Sequence, residues 1–123
     1  MNKIGIKIWS RDFELPIIIE TFDEDATEIQ NDTVKKLEEY ADIIEASLKH
    51  VEEYILANGL RENGIDEVDN IFKYVMPKTF FIPKSENRVV GLLCNYKFDM
   101  EHGLAVVFEN EKFKEIGSQD IIL

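Results

Sequence analysis

A single cysteine, three prolines, six glycines and two histidines are spread over 123 residues. One cysteine excludes an intramolecular disulfide framework and any multi-cysteine metal site. The glycines form neither G-x-G-x-x-G nor G-x-x-x-x-G-K, so no phosphate-cradling loop is encoded. Ser10, Ser47, Ser85 and Ser118 lack a G-x-S-x-G elbow that would make one of them a nucleophile. Apolar runs extend only a few residues, against about 20 for a membrane-spanning helix. Lys3 and Lys7 break the N-terminal stretch before a signal-peptide core can form. Basic residues are scarce as well: 14 Lys and Arg face 25 Asp and Glu, a formal net charge of −11. That deficit argues against sequence-independent binding of nucleic acid and against docking on an anionic membrane through a polybasic patch. The expectation is a cytoplasmic protein whose residues 1–123 form one domain around one core.

What is present in excess is negative charge, and it is localised. Residues 1–19 carry a net +1, residues 71–123 a net 0, and residues 20–70 a net −12 from 16 acidic and four basic side chains. The same middle segment holds the clearest helical pattern. Val34, Leu37, Ala41, Ile44, Leu48, Val51 and Ile55 recur at spacings of three and four, which keeps them on one face. Asn31 or Asp32 is the expected N-cap and Asn58-Gly59 the expected stop. About 25 residues at roughly 1.5 Å each give a rod of roughly 38 Å, or two helices with a bend. A heptad seam for self-association is the competing use of this stripe. Packing on a sheet is preferred because strand-like segments flank it.

Lys3–Trp9 alternates lysines and glycine with Ile4, Ile6 and Ile8, the period-two signature of a half-buried strand. Phe13–Glu20 is its expected partner, with Pro16 marking an edge or a bulge. Ile71–Met76 is ambiguous, and Thr79–Ile82 reads as a short strand between Pro77 and Pro83. Val90, Leu92, Cys94, Tyr96 and Phe98 alternate onto one face, Asp99–Gly103 makes a turn, and Leu104, Val106 and Phe108 resume the pattern. A second turn at Glu109–Lys112 leads to Phe113–Ile116. The expected fold is α+β: an N-terminal β-hairpin, one long central helix with or without a bend, and a C-terminal antiparallel β-meander of three to five strands.

Residues able to carry chemistry each have a structural alternative. Cys94, Asp99 and His102 fall within nine residues, a spacing compatible with a metal site or a thiol beside a base. Cys94 shares its face with Val90 and Leu92, however, which predicts a small buried hydrophobe, with His102 across the turn capping it or facing water. Asp23-Glu24-Asp25, with Glu20 and Glu28 nearby, offers oxygens, but the EF-hand spacing and its glycine are missing. A solvated acidic loop ahead of a helix N-terminus accounts for it. His50 borders the apolar stripe and has no neighbouring histidine. No catalytic residue, cofactor or metal ligand is therefore assigned.

The sharper feature is the helix. Glu38, Glu39, Asp42, Glu45, Glu52 and Glu53 lie off the apolar stripe and form a negative band, a field that attracts a basic protein and speeds its encounter. Tyr40 and Tyr54 flank the stripe as candidate aromatic anchors. The competing reading is a solubilising surface, with the tyrosines closing the edge of the core.

Asp99, Glu101, His102, Gly103, Leu104, Val106 and Phe108, followed by Gly117, Gln119 and Asp120, fit the pattern D-x-E-H-G-[LI]-x-V-x-F … G-x-Q-D. This segment resembles the C-terminal signature of a family of small bacterial domains of unknown function. The resemblance implies no activity, but small acidic proteins of this kind are often encoded beside secreted toxins as immunity proteins. Physically the matched residues read as a hairpin lock: Gly103 permits a positive φ, Asp99 and His102 bond across the turn, and Gln119-Asp120 ties down the last segment. The expectation is a stoichiometric binding module, monomeric or homodimeric, that neutralises a basic toxin through the acidic band. The alternative is a small ligand- or metal-binding enzyme centred on Asp99–Gly103.

Overall fold

The computed structural model describes residues 3–123. Strands β1 (Lys3–Ile8) and β2 (Arg11–Ile19) pair antiparallel, with Ile4, Ile6 and Ile8 turned into the core and the lysines outward. The chain reverses through Trp9 and Ser10, both at positive φ (50° and 69°), as a two-residue hairpin turn requires. A buried tryptophan in that conformation is strained, and its anchoring offsets the cost. Its indole N–H donates to the Ile44 carbonyl at 3.2 Å, and its ring lies 6.0 Å from that of Phe72.

The helix begins earlier than its apolar stripe. Helix α1 (Glu28–Lys36) is capped by Thr27, not by Asn31 or Asp32. The Thr27 hydroxyl accepts from the Gln30 N–H while the Gln30 side chain accepts from the Thr27 N–H, a reciprocal capping box. Gln30 is buried, and its amide also donates to the carbonyls of Glu20 (2.8 Å) and Ile82 (3.3 Å). One tighter turn, Leu37–Tyr40, joins α1 to α2 (Ala41–Ile55), so the expected long helix runs on through a change of pitch. Leu37, Ile44, Val51 and Ile55 are fully buried against the sheet, which accounts for the stripe. The helix then widens at Leu56–Leu60, is broken at Asn58 and Gly59, and ends after Arg61–Asn63 at the left-handed Gly64.

A helical crossover returns the chain in its original direction, so β3 (Val75–Ile82) lies parallel to β2, with Ile17, Ile18 and Ile19 opposite Phe80, Phe81 and Ile82. This is the one parallel pairing among the described strands. β4 (Val89–Tyr96), β5 (Leu104–Glu109) and β6 (Lys112–Gly117) complete the expected meander in the order β1-β2-β3-β4-β5-β6. Two details differ from the sequence reading. β3 starts four residues before Thr79 and absorbs Pro77 with a register shift. Pro16 lies in an interior strand, where pairing with β3 begins one residue later, at Ile17.

The helix covers one face of the sheet. On the other face a smaller cluster of Phe81, Val89, Leu93, Ala105 and Val107 is roofed by Ile122. The helix is also pinned at the far side of the sheet. Arg88 donates to both carboxylate oxygens of Glu111 (2.8 and 2.9 Å) and lies 3.6 Å from Asp32, while the Tyr40 hydroxyl reaches Glu111 at 3.5 Å. Burial and then Glu111 push the Tyr40 phenol up to about 12, and Arg88 holds the Glu111 carboxyl below its ordinary range.

Candidate functional site

Two regions hold most of the residues singled out by the sequence, and the fold creates a third. The first is the Asp99–Gly103 turn. Asp99 Oδ1 accepts from the His102 backbone N–H (3.2 Å) and lies 3.0 Å from its Nδ1, and the Gly103 N–H donates to the Asp99 carbonyl (2.8 Å). The Gln119 N–H donates to the His102 carbonyl (3.0 Å), and its side-chain amide donates to the Cys94 carbonyl (3.1 Å). Gly103 sits at φ 62°, and a Cβ there would lie 2.8 Å from the Cys94 carbonyl oxygen, so only glycine fits. His102 keeps Asp99 below its ordinary carboxylate range, and Asp99 in turn holds His102 above the ordinary imidazole value. Cys94 is fully buried on the core face of β4, where desolvation pushes its thiol strongly upward. It reaches neither Asp99 nor His102, and no group of three metal-ligating side chains converges among the described residues. His50 stacks on Phe113 with ring centroids 4.0 Å apart.

The second region is the outer face of the helix. Glu38, Glu39, Asp42 and Glu53 are exposed and Glu52 partly so. Among the described residues none of these five has an ion-pair or hydrogen-bond partner, whereas eight acidic residues elsewhere in the chain do pair with a base. Glu45 is different: it accepts from the Ser10 N–H and so clips the first hairpin turn to α2. Lys49 lies within the same band. Tyr40 is fully buried, so it is no surface anchor; Tyr54 is half-buried at the last full turn of the helix.

The third region was not legible in the sequence. Where the helix breaks, a cleft of about 330 Å³ opens between Tyr54, Asn58 and Glu62 on one side and Tyr96, Phe98 and Asp99 on the other. Gly59 forms part of its wall at φ 142°, and a Cβ there would run into the Tyr96 hydroxyl and the Phe98 side chain. The Tyr96 hydroxyl donates to the Asn58 carbonyl at 2.6 Å, closing the broken turn onto β4. Burial, with Tyr54, Glu62 and Asp99 adding to it, pushes the Tyr96 phenol up to about 12. The sequence does contain a signal, an Asn-Gly pair where the apolar stripe ends, but it reads as a stop.

These features define a small α+β domain: one mixed six-stranded sheet with an acidic helix across one face and a polar cleft at the helix end. Residues 2–123 match the family described as domain of unknown function DUF6985, and the chain belongs to that family. No curated protein and no solved structure matches it. No helix among the described residues is long and apolar enough to cross a membrane.

Proposed function

We propose that the chain is a stoichiometric protein-binding module that docks a basic partner on the outer face of its helix, and that it acts as an immunity protein neutralising a cognate bacterial toxin. The observation that carries the docking surface is the set of five carboxylates that have no internal partner among the described residues. Like charges three and four residues apart on a helix, such as Glu38 and Asp42, destabilise it by about 0.2–0.5 kcal/mol per pair. A basic partner converts that repulsion into attraction. The toxin assignment rests on the likeness of the C-terminal motif to small acidic bacterial domains and on the net charge of −11.

The test is co-expression with the product of the neighbouring reading frame, followed by association kinetics at rising ionic strength. Exposed charges predict a rate that falls steeply between low and physiological salt. A triple reversal, Glu38→Lys, Asp42→Lys and Glu53→Lys, is expected to slow association at least tenfold. A rate indifferent to both salt and reversal would sink the proposal.

The alternative, a small-ligand site at the Asp99–Gly103 turn, gains support from one observation: the cleft borders both Asp99 and Gly103. Cys94 contributes no ligand or nucleophile to it, being buried away from the turn.

A further inference from the structure

The cleft has a chemical bias that its shape alone does not convey. Its volume of about 330 Å³ is at the small end of ligand pockets, which run from about 300 to 1,000 Å³, so it suits a single side-chain-sized group. Half of its side-chain donor hydrogens are spent on its own backbone. The Asn58 amide donates to the Tyr54 carbonyl (2.9 Å), the Asn63 amide to the Gly59 carbonyl (2.7 Å), and the Tyr96 hydroxyl to the Asn58 carbonyl. The charged groups left open are both acceptors: the Glu62 carboxylate, which has no partner among the described residues, and Asp99, whose Oδ1 is taken by His102 while Oδ2 is not. Three aromatic rings, those of Tyr54, Tyr96 and Phe98, complete the lining. Lys97 Nζ already lies 5.8 Å from the centroid of Phe98, whereas the Tyr54 ring has no aromatic or cationic partner among the described residues.

Unpaired acceptors and carboxylates beside an open aromatic ring select a ligand that is rich in donors, positively charged and planar or compact. We infer that the cleft is a recognition pocket for an organic cation of the guanidinium or alkylammonium class. Glu62 and Asp99 receive its N–H donors, and Tyr54 packs against its face. The inference builds on the ligand-site reading of the cleft and is independent of docking on the helix face. The cation has two possible sources, the side chain of a basic protein or a free small molecule.

The test uses the intact chain, with amide chemical shifts followed during titration by three probes: N-acetyl-arginine amide, agmatine, and N-acetyl-citrulline amide as a neutral isostere. Both cations are expected to shift the resonances of Tyr54, Asn58, Gly59 and Tyr96, and citrulline to leave them unmoved. Glu62→Gln and Asp99→Asn, which keep an oxygen in each position, are each expected to weaken cation binding at least fivefold. Tighter binding of the blocked arginine identifies a protein side chain as the source; tighter binding of agmatine identifies a free cation. Citrulline binding as well as arginine, or cation-induced shifts confined to Glu38–Glu53, would overturn the inference. Triple reversal of the helix-face charges leaves cation binding in the cleft within about twofold, so failure of the docking surface and failure of the pocket are read separately.

Discussion

Asp99, His102 and Gln119 around the C-terminal turn each bond within the chain, whereas Glu38, Glu39, Asp42, Glu52 and Glu53 along the outer face of the helix have no partner among the described residues. Both regions are polar, and both are prominent in the sequence. The difference lies in where their interactions are satisfied. Groups at the turn hold β4, β5 and the C-terminal segment in place, so their loss is felt as instability. The five unpaired carboxylates on the helix face make no such bond among the described residues, so their loss is expected to cost little stability.

The comparison is broken most forcefully at Gly103. Gly103→Val places a branched side chain at φ 62° against the Cys94 carbonyl and Gln119. Strain together with overpacking is expected to cost about 3 kcal/mol in urea unfolding. Next comes Gln30, which plays the same internally satisfied role at the helix start. Gln30→Leu strands the Glu20 carbonyl and the Thr27 N–H and leaves the Ile82 carbonyl with only the Glu20 N–H, at an expected cost of about 2 kcal/mol by the same measurement.

A smaller, pH-dependent effect belongs to the Asp99–His102 pair. Asp99 is depressed from its ordinary 3.8, so its stabilisation is present above that value and lost as pH falls through the folded pKa. His102 is raised from its ordinary 6.5, so its stabilisation is present below that value and lost as pH rises through the folded pKa. The turn is therefore tightest between the two. An NMR titration of the His102 ring is expected to give a midpoint above 6.5 that falls back in Asp99→Ala. The least effect on stability is expected from the triple reversal of Glu38, Asp42 and Glu53, within about 0.5 kcal/mol of the parent. A loss of more than about 2 kcal/mol there would erase the contrast between the two regions.

Much of the fold was legible because periodicity reports burial directly. Ile4, Ile6 and Ile8, the stripe from Val34 to Ile55, and Val90 to Phe98 all face the core or pack against it. The hairpin lock was legible too, since glycine and Asx chemistry are local. The cap is local too: Thr27-Glu28-Ile29-Gln30 is a capping-box sequence that lies ahead of the apolar stripe, whose start at Val34 points to a later cap. The start of β3 was obscured by Pro77, which the strand tolerates through a register shift. The burial of Tyr40 depends on its partners at Phe108 and Glu111, about 70 residues away. The cleft lies further still from local signals, because it is made by juxtaposing a broken helix end with β4 and the following turn.

The parallel seam between β2 and β3 has a consequence for the order of assembly. β3 to β6 are joined by short turns, so their contacts close small loops and form early. The first hairpin joins the sheet through only three residue pairs, Ile17–Ile19 against Phe80–Ile82, across more than 60 residues of intervening chain. Closing that loop carries a larger entropic cost, and Gln30 fastens it from within by binding the carbonyls at the ends of both strands. The meander is therefore expected to form first and the N-terminal hairpin to dock last. Under native conditions it is also expected to open first, and hydrogen exchange should then show its amide protons exchanging ahead of those in β4 and β5.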